Sequence, residues 1–441
     1  MRQIRWPALL SEYGMLVVLL LLCVVCSLAT IAEQQPTDSW TADRLAARIA
    51  ADYPNGSALV VGLSSDVEQA FVEAVRDGLQ SRGVQVVDAL NGKPVDARRA
   101  IGKAIGAGQK IDVVVASLAA SKWPIYDPAQ YRSPLVAKMQ VVAPKTYRWP
   151  TFLLPRNLRN VVDQVSIIAI ISIGMTMVII SGGIDLSVGS LMAFSSVIIA
   201  IVLREASELG LGISLAMLVA SLAAVGMGAG VGCFTGTLVT RCRVPPFIVT
   251  LGLMMSASGL AYVVALAASQ EQTVPVPESF KILGHGKLLG IPYSVLLMFA
   301  LYAVAHLAMT RSVFGRHLYA VGGNERAAHL SGIRVSRVRT WTYVICAALA
   351  ALGGVIETSI YGRGDPKIGD QYELLVISAV VVGGTSLSGG EGKMFNTLIG
   401  SLIIAVIRNA MNLANLDGNW QQVVLGAVIL GAVLIDRLKR K

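Results

Sequence analysis

Histidine is scarce in this chain: His285, His306, His317 and His329 are the only four in 441 residues, and they are scattered. No pair stands at metal-ligand spacing, and neither HExxH nor GxSxG occurs. Cysteine is nearly as sparse. Cys23, Cys26, Cys233, Cys242 and Cys346 lie in or beside apolar runs with no histidine nearby, so no metal, redox or catalytic centre is expected and no cofactor is assigned. They read as small buried apolar side chains. A phosphate loop is missing as well: GGEGKM at Gly389 to Met394 lacks the full spacing and the Ser or Thr after Lys393. The chain is therefore not expected to be an enzyme or to hydrolyse ATP itself. Charged residues make up only 15% against 54% hydrophobic, with a mean hydropathy of +0.64, which excludes an ordinary soluble balance. The net charge of +10 does not imply nucleic acid, because Lys and Arg gather at segment ends instead of forming a stripe with interleaved aromatics.

What is present is a series of long apolar runs. A bilayer core needs about 20 mostly apolar residues per helix. About ten segments qualify, near 13–32, 160–181, 184–203, 211–238, 245–268, 291–309, 341–360, 373–389, 395–412 and 420–436. Cytoplasmic loops carry the excess of Lys and Arg. Arg2 and Arg5 precede the first run, Arg241 and Arg243 follow the fourth, and Arg437, Lys439, Arg440 and Lys441 close the chain. The loop 311–340 carries six Arg against one acid, Glu325. An even number of spans puts this loop and both termini in the cytoplasm. The first run could instead be a cleaved secretory signal ending in SLATIA, but at Met15 to Ala32 it is longer than a signal core of about 7–15 residues, so a retained helix is the expectation.

Between residues 33 and 150 the apolar runs give way to charges of both signs and to strand-helix patterns. Strands are expected at Ala58 to Leu63, Val84 to Asp88 and Ile111 to Ala116, with helices at Asp66 to Arg82 and Val95 to Gly106. This βαβαβ order predicts an inserted α/β domain with a parallel sheet, on the extracytoplasmic side by the span count. Ser64 and Ser65 follow a strand's carboxyl end, where such sheets bind ligands, and equally suit a helix cap. The expected fold class is thus an α-helical polytopic membrane protein: a first transmembrane helix in 1–32, an inserted extracytoplasmic α/β domain in 33–150, and a transmembrane domain in 151–441 holding the loop 311–340.

One interruption stands out. GMTMVIISGGIDLSVGS, Gly174 to Ser190, breaks an apolar helix at Gly182 and Gly183 and places Asp185 between Ile184 and Leu186. An acid at membrane depth is expensive and faces protein or water. With Ser187, Gly189 and Ser190, these residues form a candidate broken helix on a translocation path.

These strings carry a resemblance. Gly174 to Ser190, PPFIVTLG at Pro245 to Gly252, FGRHLYAVGGNERAAHLSGIRV at Phe314 to Val335, and ELLVISAVVVGGTSLSGGEG at Glu373 to Gly392 resemble the permease subunits of bacterial ABC importers for ribose, xylose and related monosaccharides, over nearly all of residues 155–438. The resemblance implies an inner-membrane subunit that dimerises with itself or a related permease, receives a monosaccharide from a periplasmic binding protein, and is driven by two cytoplasmic ATPase subunits. It also implies an ATPase contact at Gly322, Gly323, Asn324, Ala327, Ala328, Ser331 and Gly332. The residues agree: Asn324 can cap and Gly332 can stop a short amphipathic helix lying along the membrane surface. A basic loop that only fixes topology is the plainer alternative.

The sequence departs from the family at Thr235, where Asn is usual, at Phe395-Asn396-Thr397, and in the inserted domain. Alternatives from other classes are a receptor sensing ligand through the external domain, a secondary transporter, for which Asp185 alone is thin support, and a permease for branched-chain amino acids. Pro245-Pro246 gates an exit or simply begins a helix. Arg408 and Asn409 sit in an apolar helix near its outer half, where Arg408 snorkels or bonds a partner helix. Glu357 and Glu373 flank an outer loop whose polar face is Asp365 and Asp370; the default expectation is a solvated loop, and the alternative is a charged surface that steers a docking binding protein.

Overall fold

The computed structural model describes residues 6–34, 39–269 and 271–439. Arg2, Arg5, Arg440 and Lys441 lie outside the described residues, as do the side chains of Arg437 and Lys439. The chain divides into two compact units, Ile31–Thr151 and the remainder, Met1–Thr30 with Phe152–Lys441.

The Ile31–Thr151 unit contains β1 (Ile31–Gln34), α2 (Ser39–Asp52), β2 (Ser57–Leu63), α3 (Asp66–Gln80), β3 (Gln85–Gly92), α4 (Pro94–Gly106), β4 (Val113–Ala116), β5 (Gln140–Val142) and β6 (Tyr147–Pro150). Strands β3-β2-β4-β5 form a parallel sheet, while β1 and β6 pair antiparallel from Ile31 and Pro150 inward. Central strands β2 and β4 are apolar on both faces because helices cover both. Leu59, Val61 and Val114 pack with Ala97, Ile101 and Ala104 of α4, whereas Val60 and Val113 pack with Phe71, Val75 and Leu79 of α3 and Ile49 of α2. Ser65 caps α3 by accepting from the Glu68 amide at 3.4 Å, and the Glu68 carboxylate returns to the Leu63 amide. This is a reciprocal cap.

The second unit is helical: α1 (Trp6–Ala29), α5 (Pro155–Ile180), α6 (Val188–Glu208), α7 (Ile213–Thr240), α8 (Pro246–Ser269), α9 (Ile282–His285), α10 (Tyr293–Arg311), α11 (Val313–Gly323), α12 (Glu325–Leu330), α13 (Val335–Tyr361), α14 (Tyr372–Val382), α15 (Met394–Leu413) and α16 (Gly418–Lys439). Among the described residues seven of these, α5, α6, α7, α8, α10, α13 and α15, are long and apolar enough to cross a membrane. The run expected to span 373–389 is not one long helix. It is α14, whose 11 residues reach about 16 Å, half a bilayer. It stops at Val382 because Gly384 turns to φ +83 and the chain continues as loop to Lys393.

Helix α5 is the centre of this unit, 89% of its apolar window being buried, whereas α8 at 22% sits on the perimeter. Helix α7 buries Ala216, Ala220, Ala224, Gly228 and Gly232, one small residue every turn, and Gly228 and Gly232 lie against α13. A side chain at Gly232 would strike the α13 backbone at Tyr343 and Val344, so the two helices touch main chain to main chain. Two polar pairs fasten α5 to α15. Asn157 and Asn409 exchange amide hydrogen bonds of 2.9 and 2.8 Å, and the Thr176 and Thr397 hydroxyls stand 2.9 Å apart. Reciprocal amide pairing satisfies groups that lipid could not.

Candidate functional site

Helix α5 ends where the Gly pair begins. Gly182 adopts φ +82, a conformation that costs other residues strain, and the amides of Gly182 and Gly183 return to Ile179 and Val178 at 2.9 and 3.0 Å. From Ser181 to Ser187 the chain is not helical. It climbs instead along one face of α13. The Arg339 guanidinium donates to the Ser181 carbonyl at 3.2 Å, Gly183 lies against the Tyr343 hydroxyl, and the Cys346 thiol faces the Asp185 carboxylate. Residues 339, 343 and 346 share a helix face and rise about 10 Å, a height that four extended residues cover. Irregular backbone at this depth is tolerated only inside protein, and here α13 and α8 enclose it; Thr250 of α8 donates to the Ile184 carbonyl at 3.4 Å.

Asp185 is 1% exposed. One carboxylate oxygen accepts from the Ser187 amide at 2.9 Å and the Ser187 hydroxyl at 2.6 Å, closing the turn that opens α6. The acid is held by hydrogen bonds from the residue two ahead, as Asp does at turns.

The six residues expected on a path are brought into one segment, but they do not line one channel. Gly182 and Gly183 border a cavity of about 790 Å³ with Arg243, Pro245, Pro246, His329, Arg339 and Tyr343. Gly189 and Ser190 border another of about 530 Å³ with Met254, Ser258, Tyr262 and Glu373. Asp185 and Ser187 border neither and are buried between. The broken segment is a partition between two cavities. Pro246 starts α8 with Pro245 just before it, and both border the first cavity.

The Gly322–Gly332 stretch is a short helix held out from the bundle. Asn324 caps α12, its side-chain oxygen accepting from the Ala327 amide at 3.0 Å, and Gly332 stops it at φ +82. Ala328 is buried; Gly323, Asn324, Ala327, Ser331 and Gly332 are exposed, and Leu330 is 83% exposed. Gly322 plays another part. A Cβ there would strike the Ile180 carbonyl, which also accepts from the Gly390 amide at 2.9 Å, so the end of α11, the end of α5 and the Gly389-Gly390 loop meet at one point.

Sequence reasoning missed the link between these two sites. Glu325 of α12 pairs with Arg339 of α13 at 2.9 Å, and the same guanidinium holds the Ser181 carbonyl. Two contacts thus connect α12 to the broken segment. The spacing of Arg339, Tyr343 and Cys346 on one helix face was the available clue.

Two expectations need correction. Glu357 is not on a solvated loop: it is 6% exposed and accepts from the Tyr372 hydroxyl at 2.7 Å. Loop 362–371 folds onto α6 instead of standing in solvent, with Ser196 accepting from the Asp365 amide at 3.2 Å and donating to its carbonyl at 3.1 Å. Thr235 is buried and bonds only within its own helix, to the Val231 carbonyl at 2.8 Å. No group of three or more metal-ligating side chains occurs among the described residues.

With this geometry in view, comparison with known proteins is informative. The family described as the permease component of branched-chain amino acid transport systems matches residues 157–433, and the chain belongs to it. It is a multi-pass membrane protein. The ribose import permease protein RbsC of Escherichia coli K12 is 38% identical over 307 residues, covering 69% of this chain and 93% of the relative. RbsC of Bacillus subtilis is 41% identical over 290 residues, 66% of this chain and 87% of its own length. The L-arabinose ABC transporter permease protein AraH of Azospirillum brasilense is 35% identical over 291 residues, 66% and 83% of the two chains. No solved structure matches. The Ile31–Thr151 unit lies outside the matched residues.

Proposed function

We propose that this chain is the membrane permease subunit of an ATP-binding-cassette importer for a monosaccharide, a pentose such as ribose. The relatives named for ribose and arabinose support the sugar over the amino acid in the family's description. Bound ATPase subunits supply the energy, a periplasmic binding protein delivers the sugar, and a second copy or a related permease completes the pore. In this reading the seven long helices are joined by α1, by α16 and by a broken segment made of α14 and the loop after it; on that count of ten the termini and the loop 311–340 lie in the cytoplasm of a bacterial inner membrane and residues 33–150 outside.

The observation that carries the mechanism is the Glu325–Arg339–Ser181 link. Exposed α12, with Leu330 at its tip, sits in a groove of the ATPase. Closure of the motor shifts α12 as a rigid body, and Arg339 draws on the Ser181 carbonyl at the foot of the partition. The partition then opens one cavity as it seals the other. No fixed charge needs to face the sugar, since Asp185 is turned into the protein.

The test is uptake against hydrolysis in a reconstituted complex. A half-exposed ion pair is worth less than about 1 kcal/mol of stability, so Glu325→Ala should fold and assemble normally. ATP hydrolysis is expected to persist while sugar uptake falls more than about tenfold, the loss of one coupling contact worth about 1.4 kcal/mol. Hydrolysis and uptake remaining in their original ratio would refute the link.

A further inference from the structure

A groove of about 380 Å³ runs between α14, α15 and α16, and its lining changes with depth. Asp370, Arg408, Gln421 and Gln422 stand at one end, while Leu375, Leu425 and Ile429 lie beyond them. Along α16 the change from Gln421 to Ile429 takes two turns, about 12 Å. Arg408 belongs to the polar level, because its guanidinium stands 6.0 Å over the ring of Tyr372, the first residue of α14. It is also five residues from Leu413, the end of α15, about 8 Å, so an arginine there reaches the headgroup layer of a bilayer. The groove is open: Leu374 is 49% exposed, Gln422 is exposed, and a Cβ added at Gly426 would meet nothing.

The polar end is short of partners. Among the described residues the half-buried Arg408 guanidinium makes no hydrogen bond and no salt bridge. Glu357, which holds the Tyr372 hydroxyl, is within electrostatic reach of it but does not line the groove. Gln421 spends its amide nitrogen on the Asn412 side chain and the Leu416 carbonyl at 2.9 and 3.0 Å, which leaves its oxygen to accept. The Asp370 carboxylate is exposed and pairs with no cation among the described residues. Arginine carries five N–H donors, and a membrane supplies little water to accept from them.

This arrangement selects its occupant. One guanidinium set against the Asp370 carboxylate, with Glu357 behind it, leaves no positive surplus for a purely anionic headgroup, and a lone cation would leave Arg408 without an acceptor. A polar solute without a tail would strand itself on Leu375, Leu425 and Ile429. A zwitterionic phospholipid matches both ends: its phosphate accepts from Arg408, its primary ammonium donates to Asp370 and to the Gln421 oxygen, and an acyl chain follows the leucines inward. A quaternary ammonium has no N–H to give. The volume is at the small end of ligand pockets and takes the head and the upper part of one chain, the rest remaining in the bilayer.

We propose that the groove between α14, α15 and α16 is a binding site for a phospholipid with a phosphoethanolamine head, Arg408 holding the phosphate and Asp370 the ammonium. The site depends on the bundle lying in a membrane and not on which solute the bundle carries.

The complete complex with its ATPase is purified in detergent, stripped of lipid and titrated with dioleoyl phosphatidylethanolamine or dioleoyl phosphatidylglycerol, and lipid retained per copy of the chain is read by native mass spectrometry. One phosphatidylethanolamine per copy is expected, retained at least fivefold over phosphatidylglycerol. Gly426→Leu, which fills the apolar slot, and Arg408→Gln, which removes the donor to the phosphate, should each lower retention at least fivefold, and Asp370→Asn should abolish the preference between the two lipids. If Arg408→Gln fails to assemble, the other two variants decide. Equal retention of the two lipids by the wild type, or retention and preference unchanged in Gly426→Leu and Asp370→Asn, overturns the site. So does a disulfide between two copies through Gln422→Cys in a background lacking the native thiols, which would show that a second copy covers the groove.

Discussion

At the scale of single residues, Asp185 shows how a costly group is made affordable and what it then does. Its carboxylate is removed from water and returned two hydrogen bonds by Ser187, which makes it a closing clasp for the start of α6. If that is its work, the charge is dispensable and the oxygen is not. Asp185→Asn keeps an acceptor of the same shape and should retain uptake within about twofold, whereas Asp185→Ala strands the buried Ser187 donors and should lose about 1–3 kcal/mol of stability. Thermal unfolding and uptake of both variants decide it; an inactive but stable Asp185→Asn would show that the charge itself is used. The sequence announced that an acid stood at membrane depth and that two glycines broke the helix before it. It did not announce which way the acid turned, because that depends on Arg339, Tyr343 and Cys346, about 160 positions further along the chain.

At the scale of elements, periodic and uniformly apolar stretches were legible and short or irregular ones were not. Helix α3 begins at Asp66, the residue at which its amphipathic pattern starts. Helix α2 was overlooked because its Ala and Arg residues sit where the composition changes, and β5 because three residues show no alternation. An apolar run at 373–389 reads as a span by hydropathy, yet the positive φ of Gly384 halves it, a constraint that hydropathy does not see. The α7–α13 seam was also invisible, since small residues every fourth position mean contact only once the partner helix is known. Gly232→Leu should force these backbones apart, and overpacking of this kind costs about 1–3 kcal/mol or more. Reduced melting temperature of the purified complex would be the sign, with Gly230→Leu, whose added side chain meets open space, as the control.

At the scale of the whole molecule the account joins a bundle that carries two cavities and a partition to a short helix that only a partner can cover. Its orientation is a direct consequence. Single cysteines placed at Val95 and at His329 in a background lacking the native thiols should be labelled by impermeant maleimide from opposite faces of sealed vesicles, Val95 from the outside and His329 from the cytoplasmic side. Labelling of both from one face would contradict the odd number of crossings, α5, α6, α7, α8 and α10, that lie between them.

The claim on which everything else depends is that a separate motor moves this bundle. The decisive measurement is labelled ribose uptake into proteoliposomes holding the chain, its ATPase partner and binding protein, with the catalytic base of the ATPase intact or removed. Uptake that requires hydrolysable ATP and stops when the base is removed is the predicted result. Uptake that continues without the ATPase on a proton or sodium gradient would contradict it.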